Sequence, residues 1–77
     1  MLITVADLSG KIHGIDGIDD TTTVKALKLR IQAQLGYPVD QLRIIFTGKQ
    51  LKNEMILVKE GVEENSRLTL ALSLIGD

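Results

Sequence analysis

The sequence predicts an α+β domain, a mixed five-stranded sheet with one main helix packed on one of its faces. Short extended runs lie on both sides of a single amphipathic helical segment, in the order strand, strand, helix, strand, strand, connection, strand. A single helix can cover only one face of such a sheet, so the other face is left for partners. The last run, Arg67-Leu68-Thr69-Leu70-Ala71-Leu72-Ser73-Leu74, alternates leucine with small or polar residues, as a half-buried strand requires.

Each element follows from its residues. Residues 2–8 mix β-branched and polar side chains, with Ile3 and Val5 on one face, and form the first strand. Ser9-Gly10 is a turn signal and Lys11 leads into a second extended run, so the first two strands make a hairpin. In that second run Ile12, Ile15 and Ile18 are spaced by three with Gly14 and Gly17 between them, and strict alternation fails. A bulge or kink is expected there to return Ile15 and Ile18 to one inward face. Asp19-Asp20-Thr21-Thr22-Thr23 supplies carboxylates and hydroxyls for the start of a helix over residues 23–35. Its apolar stripe is Val24, Leu27 and Ile31, its polar face Lys25, Lys28, Gln32 and Gln34, and Gly36 with Pro38 stops it. Leu42-Arg43-Ile44-Ile45-Phe46 is the third strand, and Thr47-Gly48-Lys49-Gln50-Leu51 a tight turn, Gly48 at its tip, leading into a short fourth. Residues 52–65 keep no periodicity and are expected to be an irregular connection, pinned by Leu57 and Val62 and turning at Gly61 and Asn65.

Composition removes several functions. A chain of 77 residues has room for one domain and one modest core. Tyr37 and Phe46 are its only aromatic residues, so that core is expected to be Leu, Ile, Val and Ala. The absence of cysteine excludes disulfides and thiolate ligands. A formal net charge of −1 lacks the electrostatic footprint of a general nucleic-acid binder, and Lys49-Gln50-Leu51-Lys52 is too short to act as a basic patch with stacking aromatics. The first residues have no basic lead-in and are interrupted by Thr4 and Asp7, so they do not read as a signal peptide; no apolar run approaches the roughly 20 residues of a membrane span. The expectation is a soluble, intracellular monomer, cytoplasmic and/or nuclear, without nucleic-acid or membrane partners.

Catalysis has little to work with. His13 is the one histidine, set beside Gly14 in the poorly patterned second strand, and it has no thiol to pair with. Asp16, Asp19 and Asp20 could suggest a weak cation site, but their place just before a helix explains them by capping and dipole interaction. The glycines do not assemble a phosphate-cradling pattern. No enzyme activity, cofactor or metal is expected.

Several of these stretches together carry a resemblance: Leu8-Ser9-Gly10-Lys11, Val24-Lys25 through Arg30-Ile31-Gln32, and Gly36-Tyr37-Pro38-Val39-Asp40-Gln41, then Arg43-Ile44-Ile45-Phe46-Thr47-Gly48-Lys49-Gln50-Leu51 and Ser66-Arg67-Leu68-Thr69-Leu70. In this order and spacing the chain resembles the ubiquitin-like family over nearly its full length, with one extra residue between the first strand and the helix. The resemblance implies a β-grasp fold, a single domain over residues 1–77 and a flexible tail from about residue 74. It also implies that the open sheet face carries a small apolar patch recognised by partners, at Leu8, Ile45, Gly48 and Ala71, with Thr69 in place of the patch histidine. The residues themselves agree: Ile45 adjoins core-facing Ile44 and so points outward, and Ala71 is out of phase with the inward leucines. Arg43, Lys49 and Arg67 are expected to rim the patch and steer partners electrostatically. Lys11, Lys28 and Lys49 match positions where family members accept further chain links, though solvation explains them as well.

Family members attached to targets end in a flexible, arginine-containing tail with two terminal glycines. Here the stretch reads Ser73-Leu74-Ile75-Gly76-Asp77, with Ser73 and Ile75 at the arginine positions and Asp77 at the last glycine. The expectation is therefore a non-conjugated interaction domain of the ubiquitin-proteasome pathway, an adaptor-like module that docks ubiquitin-receptor helices, proteasome subunits or segregase domains. Two alternatives stand beside it: a divergent covalent protein modifier, and an intramolecular domain that regulates a ubiquitin-pathway enzyme by occupying its ubiquitin site.

Overall fold

In the computed structural model, which describes residues 1–73, five strands and one long helix follow the predicted order. They are β1 (Ile3–Ala6), β2 (Ile12–Ile15), α1 (Val24–Leu35), β3 (Leu42–Phe46), β4 (Lys49–Leu51) and β5 (Arg67–Leu72), with short 3-10 turns at Val39–Gln41 and Leu57–Glu60. The sheet order is β2-β1-β5-β3-β4. β1 and β5 run parallel and every other neighbouring pair antiparallel, so the sheet is mixed. This is the β-grasp arrangement, with the last strand in the centre of the sheet.

Of the bulge or kink expected in the second run, the kink is present, at Gly17, and the bulge is not: the register of β2 with β1 runs without interruption from Ala6↔Ile12 to Ile3↔Ile15. Ile15 is buried at the end of the strand, and Ile18 is buried after the chain turns through Gly17 at φ 79°. The glycine turn lies beyond the strand, so the register is not disturbed. Outside the strand, Ile18 N–H donates to the Met1 carbonyl (3.2 Å), fastening the segment to the start of β1.

Thr23 caps α1: it sits in extended geometry and its hydroxyl accepts from Ala26 N–H at 3.1 Å. Val24 and Lys25 N–H, which have no intrahelical partner, donate to the carbonyls of Met55 (2.8 Å) and Asn53 (3.1 Å) in the 52–65 connection. The helix start is thereby anchored to a segment that looks irregular in sequence. A Thr23→Ala variant is expected to lose about 1 kcal/mol of stability, read from the urea midpoint. Asp19 lies outside the helix proper; its carboxylate accepts from Thr21 N–H (2.8 Å), Thr21 hydroxyl (2.7 Å) and Thr22 hydroxyl (3.2 Å) and shapes the preceding turn. The helix ends at Gly36, whose φ of 87° permits the left-handed cap and whose N–H returns to the Gln32 carbonyl.

One residue of the predicted polar helix face lies in the core instead. Lys28 is only 7% exposed, because it follows Leu27 on the same stripe as Val24 and Ile31. Its stem packs inward and its ammonium donates to Asn53 Oδ1 at 2.6 Å. Leu29, in contrast, is exposed.

The core between sheet and helix is built from Ile3, Val5, Ile15, Ile18, Val24, Leu27, Ile31, Leu42, Ile44, Leu51, Leu57, Val62, Leu68 and Leu70. Alanine, expected among them, contributes none, since a helix must fill the gap above the sheet with larger side chains. Leu57 and Val62 pin the connection as predicted, and Gly61 and Asn65 turn it at positive φ. Strand β5 ends at Leu72, two residues short of the predicted alternating run, and Ser73 N–H donates to the Gln41 carbonyl at 2.8 Å. Leu74 and the tail from about residue 74 lie outside the described residues.

Candidate functional site

The sheet face opposite the helix is assembled by alternation along β3 and β5. In β5 Leu68 and Leu70 are buried while Arg67 and Thr69 are exposed and Ala71 is half-buried. In β3 Leu42 and Ile44 are buried while Arg43 and Ile45 face the other way and are half-buried. The register pairs Ile45 with Thr69 and Arg43 with Ala71, so these four side chains adjoin across two central strands.

Leu8 joins them from the β1–β2 turn. Ala6 is the register partner of Thr69 and β5 runs parallel to β1, so the chain leaves β1 at the end of the sheet where Ala71 stands. Leu8 is 49% exposed there. Thr47 and Gly48, at φ 51° and 80°, form the two-residue turn between β3 and β4, a geometry that matches the twist of a hairpin.

Lys49 is set apart from this group. It pairs with Phe46, which is in phase with Ile44, and its ammonium contacts Glu60 Oε1 at 3.0 Å. Its charge is thus directed toward the Leu57–Glu60 turn rather than the open face, whereas Arg43 and Arg67 remain on that face. Of the three lysines matched to chain-link positions, Lys11 and Lys49 are exposed and Lys28 is buried.

Sequence reading missed the group that holds Leu8 in place. Asp7 Oδ1 accepts from Ser9 N–H (2.8 Å), Ser9 hydroxyl (2.7 Å) and Lys11 N–H (3.0 Å), while Oδ2 meets His13 Nε2 at 2.7 Å. The Ser9 hydroxyl foremost, then the His13 ring and the two backbone N–H groups, hold the Asp7 carboxyl well below the usual carboxylate range. The signal was present: an Asp two residues before Ser-Gly is an Asx-turn pattern, and His13 follows on the returning strand of the hairpin, diagonal to Asp7. Because the folded-state value is depressed, this stabilisation is complete above the unfolded carboxylate value of about 4 and is lost as pH falls toward the folded one. Denaturation midpoints between pH 6 and pH 2.5 are accordingly expected to fall less steeply in Asp7→Asn than in the parent; equal slopes would remove Asp7 from the acid response.

Asp16 and Asp19, ahead of the helix, are engaged locally. Asp19 is held below its usual range chiefly by the Thr21 hydroxyl, then by the Thr21 N–H, and Asp16 Oδ1 accepts from Gly17 N–H at 2.7 Å. Among the described residues no three His, Cys, Asp or Glu side chains converge as metal ligands, and no helix is long and apolar enough to cross a membrane.

Known proteins share this pattern. A family model described as the ubiquitin family matches residues 3–75. Ubiquitin-like protein NEDD8 of Dictyostelium discoideum is 40% identical over 76 residues, which cover 99% of this chain and 97% of that protein. Ubiquitin-like protein 1 of Schizosaccharomyces pombe is 37% identical over 76 residues, covering 99% of this chain and 96% of its own. Ubiquitin-like protein 4A of Xenopus tropicalis is 37% identical over 70 residues, 91% of this chain but 47% of that protein.

Proposed function

Because the chain belongs to the ubiquitin family, we propose that it is a non-conjugated interaction domain that docks partner proteins of the ubiquitin-proteasome pathway through its helix-free sheet face. The observation that carries this reading is Ile45: an isoleucine on the outward row of a central strand, beside Thr69 and next to the Arg43–Ala71 pair. An apolar side chain on an open sheet face, flanked by small side chains and bordered by cations, suits the apolar stripe of a partner helix. Leu8 and Gly48 complete the site, and ubiquitin-receptor helices, proteasome subunits and segregase domains are the partner classes it would fit. Its chemistry is recognition, in an intracellular setting.

The non-conjugated part of the reading rests on residue identities. Ser73 and Ile75 stand at the positions of the tail arginines, and Gly76 is followed by Asp77, whose side chain would crowd a channel shaped for a narrow glycine chain. A covalent modifier is the second reading, supported by the 40% and 37% identity to the Dictyostelium and Schizosaccharomyces ubiquitin-like proteins.

Titrating the isotope-labelled domain with a ubiquitin-interacting helix tests the first reading: amide shifts are expected at Leu8, Ile45, Gly48 and Ala71, and shifts confined to α1 would refute the site. Incubation with ATP and a ubiquitin-type activating enzyme separates the second. No thioester is expected, and its appearance would make the chain a modifier.

A further inference from the structure

The outward side chains form one continuous rung across the whole sheet. Ile12 opposes Ala6, Ala6 opposes Thr69, Thr69 opposes Ile45, and Ile45 opposes Gln50. The rung begins on an isoleucine that is 42% exposed at the β2 edge, crosses a half-buried alanine and a threonine, and reaches a second isoleucine three strands away. Leu2 lies alongside, 37% exposed, its Cδ1 at 3.4 Å from where a β-carbon on Gly14 would stand. An exposed isoleucine on an edge strand has no part in the core, and Ala6 between the two isoleucines leaves no bulky or charged side chain to separate them.

The charged side chains on the outward strand positions beside the rung have one sign, while the Glu64 carboxylate accepts from Leu2 N–H at the far end of β1. Arg67, the partner of Thr4, borders it on one side, and Arg43, the partner of Ala71, on the other. Among the described residues no outward strand position carries a carboxylate.

Building on the docking function proposed above, we infer that the binding footprint extends along this rung to Ile12, and that its occupant is an amphipathic α-helix laid across the strands, its apolar stripe flanked by carboxylates. Neighbouring strands lie about 4.8 Å apart, so Ile12 and Ile45 are separated by about 14–15 Å. A helix rising 1.5 Å per residue spans about 16 Å between apolar positions i and i+11, with i+4 and i+7 falling over Ala6 and Thr69. An added β-strand would lie along the sheet edge and reach Ile12 alone, so it cannot use both isoleucines. Carboxylates beside the helix stripe would meet Arg67 and Arg43, which sets the sign of the partner.

The test uses the labelled domain and two synthetic helical peptides of about 18 residues, both with leucine at i, i+4, i+7 and i+11, one flanked by glutamate and the other by lysine. The glutamate peptide is expected to shift Ile12 and Ala6 together with Thr69 and Ile45, and the lysine peptide to bind more weakly. Ile12→Ser is expected to weaken the glutamate peptide about fivefold to tenfold, and Arg67→Glu to reverse the preference between peptides. Shifts at Ile45 and Ala71 with Ile12→Ser binding as the parent does would overturn the extension while leaving the docking function standing. No shift anywhere on this face with either peptide would overturn both. Shifts confined to the β2 backbone, or rung shifts that grow with protein concentration in the absence of peptide, would replace the helix by an added strand or by a second copy.

Discussion

Replacing Ile44 by alanine is expected to remove about 2–5 kcal/mol of folding stability, whereas replacing its neighbour Ile45 is expected to leave the fold nearly intact and weaken partner binding by about 1–3 kcal/mol. The contrast follows from one residue of phase. Ile44 has no exposed surface and is paired with Leu51 and Leu70, both themselves in the core, so truncation opens a cavity where three strands meet the helix layer. Ile45 is half-buried on the opposite face, paired with Thr69 and Gln50, so truncation there leaves the core packed. Urea midpoints of both variants, followed by titration with the same receptor helix, read the two effects separately. Unfolding of Ile45→Ala would move that residue into the core, and unchanged affinity would remove it from the interface.

Lys28→Ala is expected to destabilise the protein by about 2–3 kcal/mol, and Lys28→Met by only about 1 kcal/mol. The alanine variant loses both the buried stem and the ammonium contact with Asn53 Oδ1, while methionine retains a chain of similar volume on the stripe of Val24, Leu27 and Ile31. Asn53 also accepts from Lys25 N–H through its carbonyl, so releasing its side chain should loosen the contact between the helix start and the 52–65 connection. Denaturation midpoints measure the first effect and hydrogen exchange at the Lys25 amide the second. Equal losses in the two variants would assign the stabilisation to the ammonium contact rather than to the stem.

These expectations also separate the sheet from its surroundings. The parallel β1–β5 pairing closes residues some sixty positions apart in sequence, as in Val5↔Leu68, and it places β1 beside the strand that carries Thr69 and Ala71. The open face therefore draws on both ends of the chain. The Asp7 cluster fixes the turn that presents Leu8 to this face, which couples a local hydrogen-bond arrangement to the shape of the docking surface.

Much of this architecture can be read directly from side-chain periodicity. Alternation in residues 67–72 and 42–45 separates inward leucine and isoleucine from outward Thr69, Ala71 and Ile45, because a strand turns successive side chains to opposite faces whatever it pairs with. The single helix, its threonine cap and its glycine stop are equally local, since capping and positive φ depend on a few adjacent residues. Tertiary structure alone decided the rest. Lys28 was assigned to solvent by its charge and is buried by its angle on the helix; Lys49 was assigned to the patch and is turned away by its pairing with Phe46 and its contact with Glu60. The rung from Ile12 to Ile45 was likewise invisible, because it exists only through the register of strands whose order is not their sequence order. The residues themselves thus fix which side chains leave each strand outward, and long-range pairing fixes which of those become neighbours and form a surface.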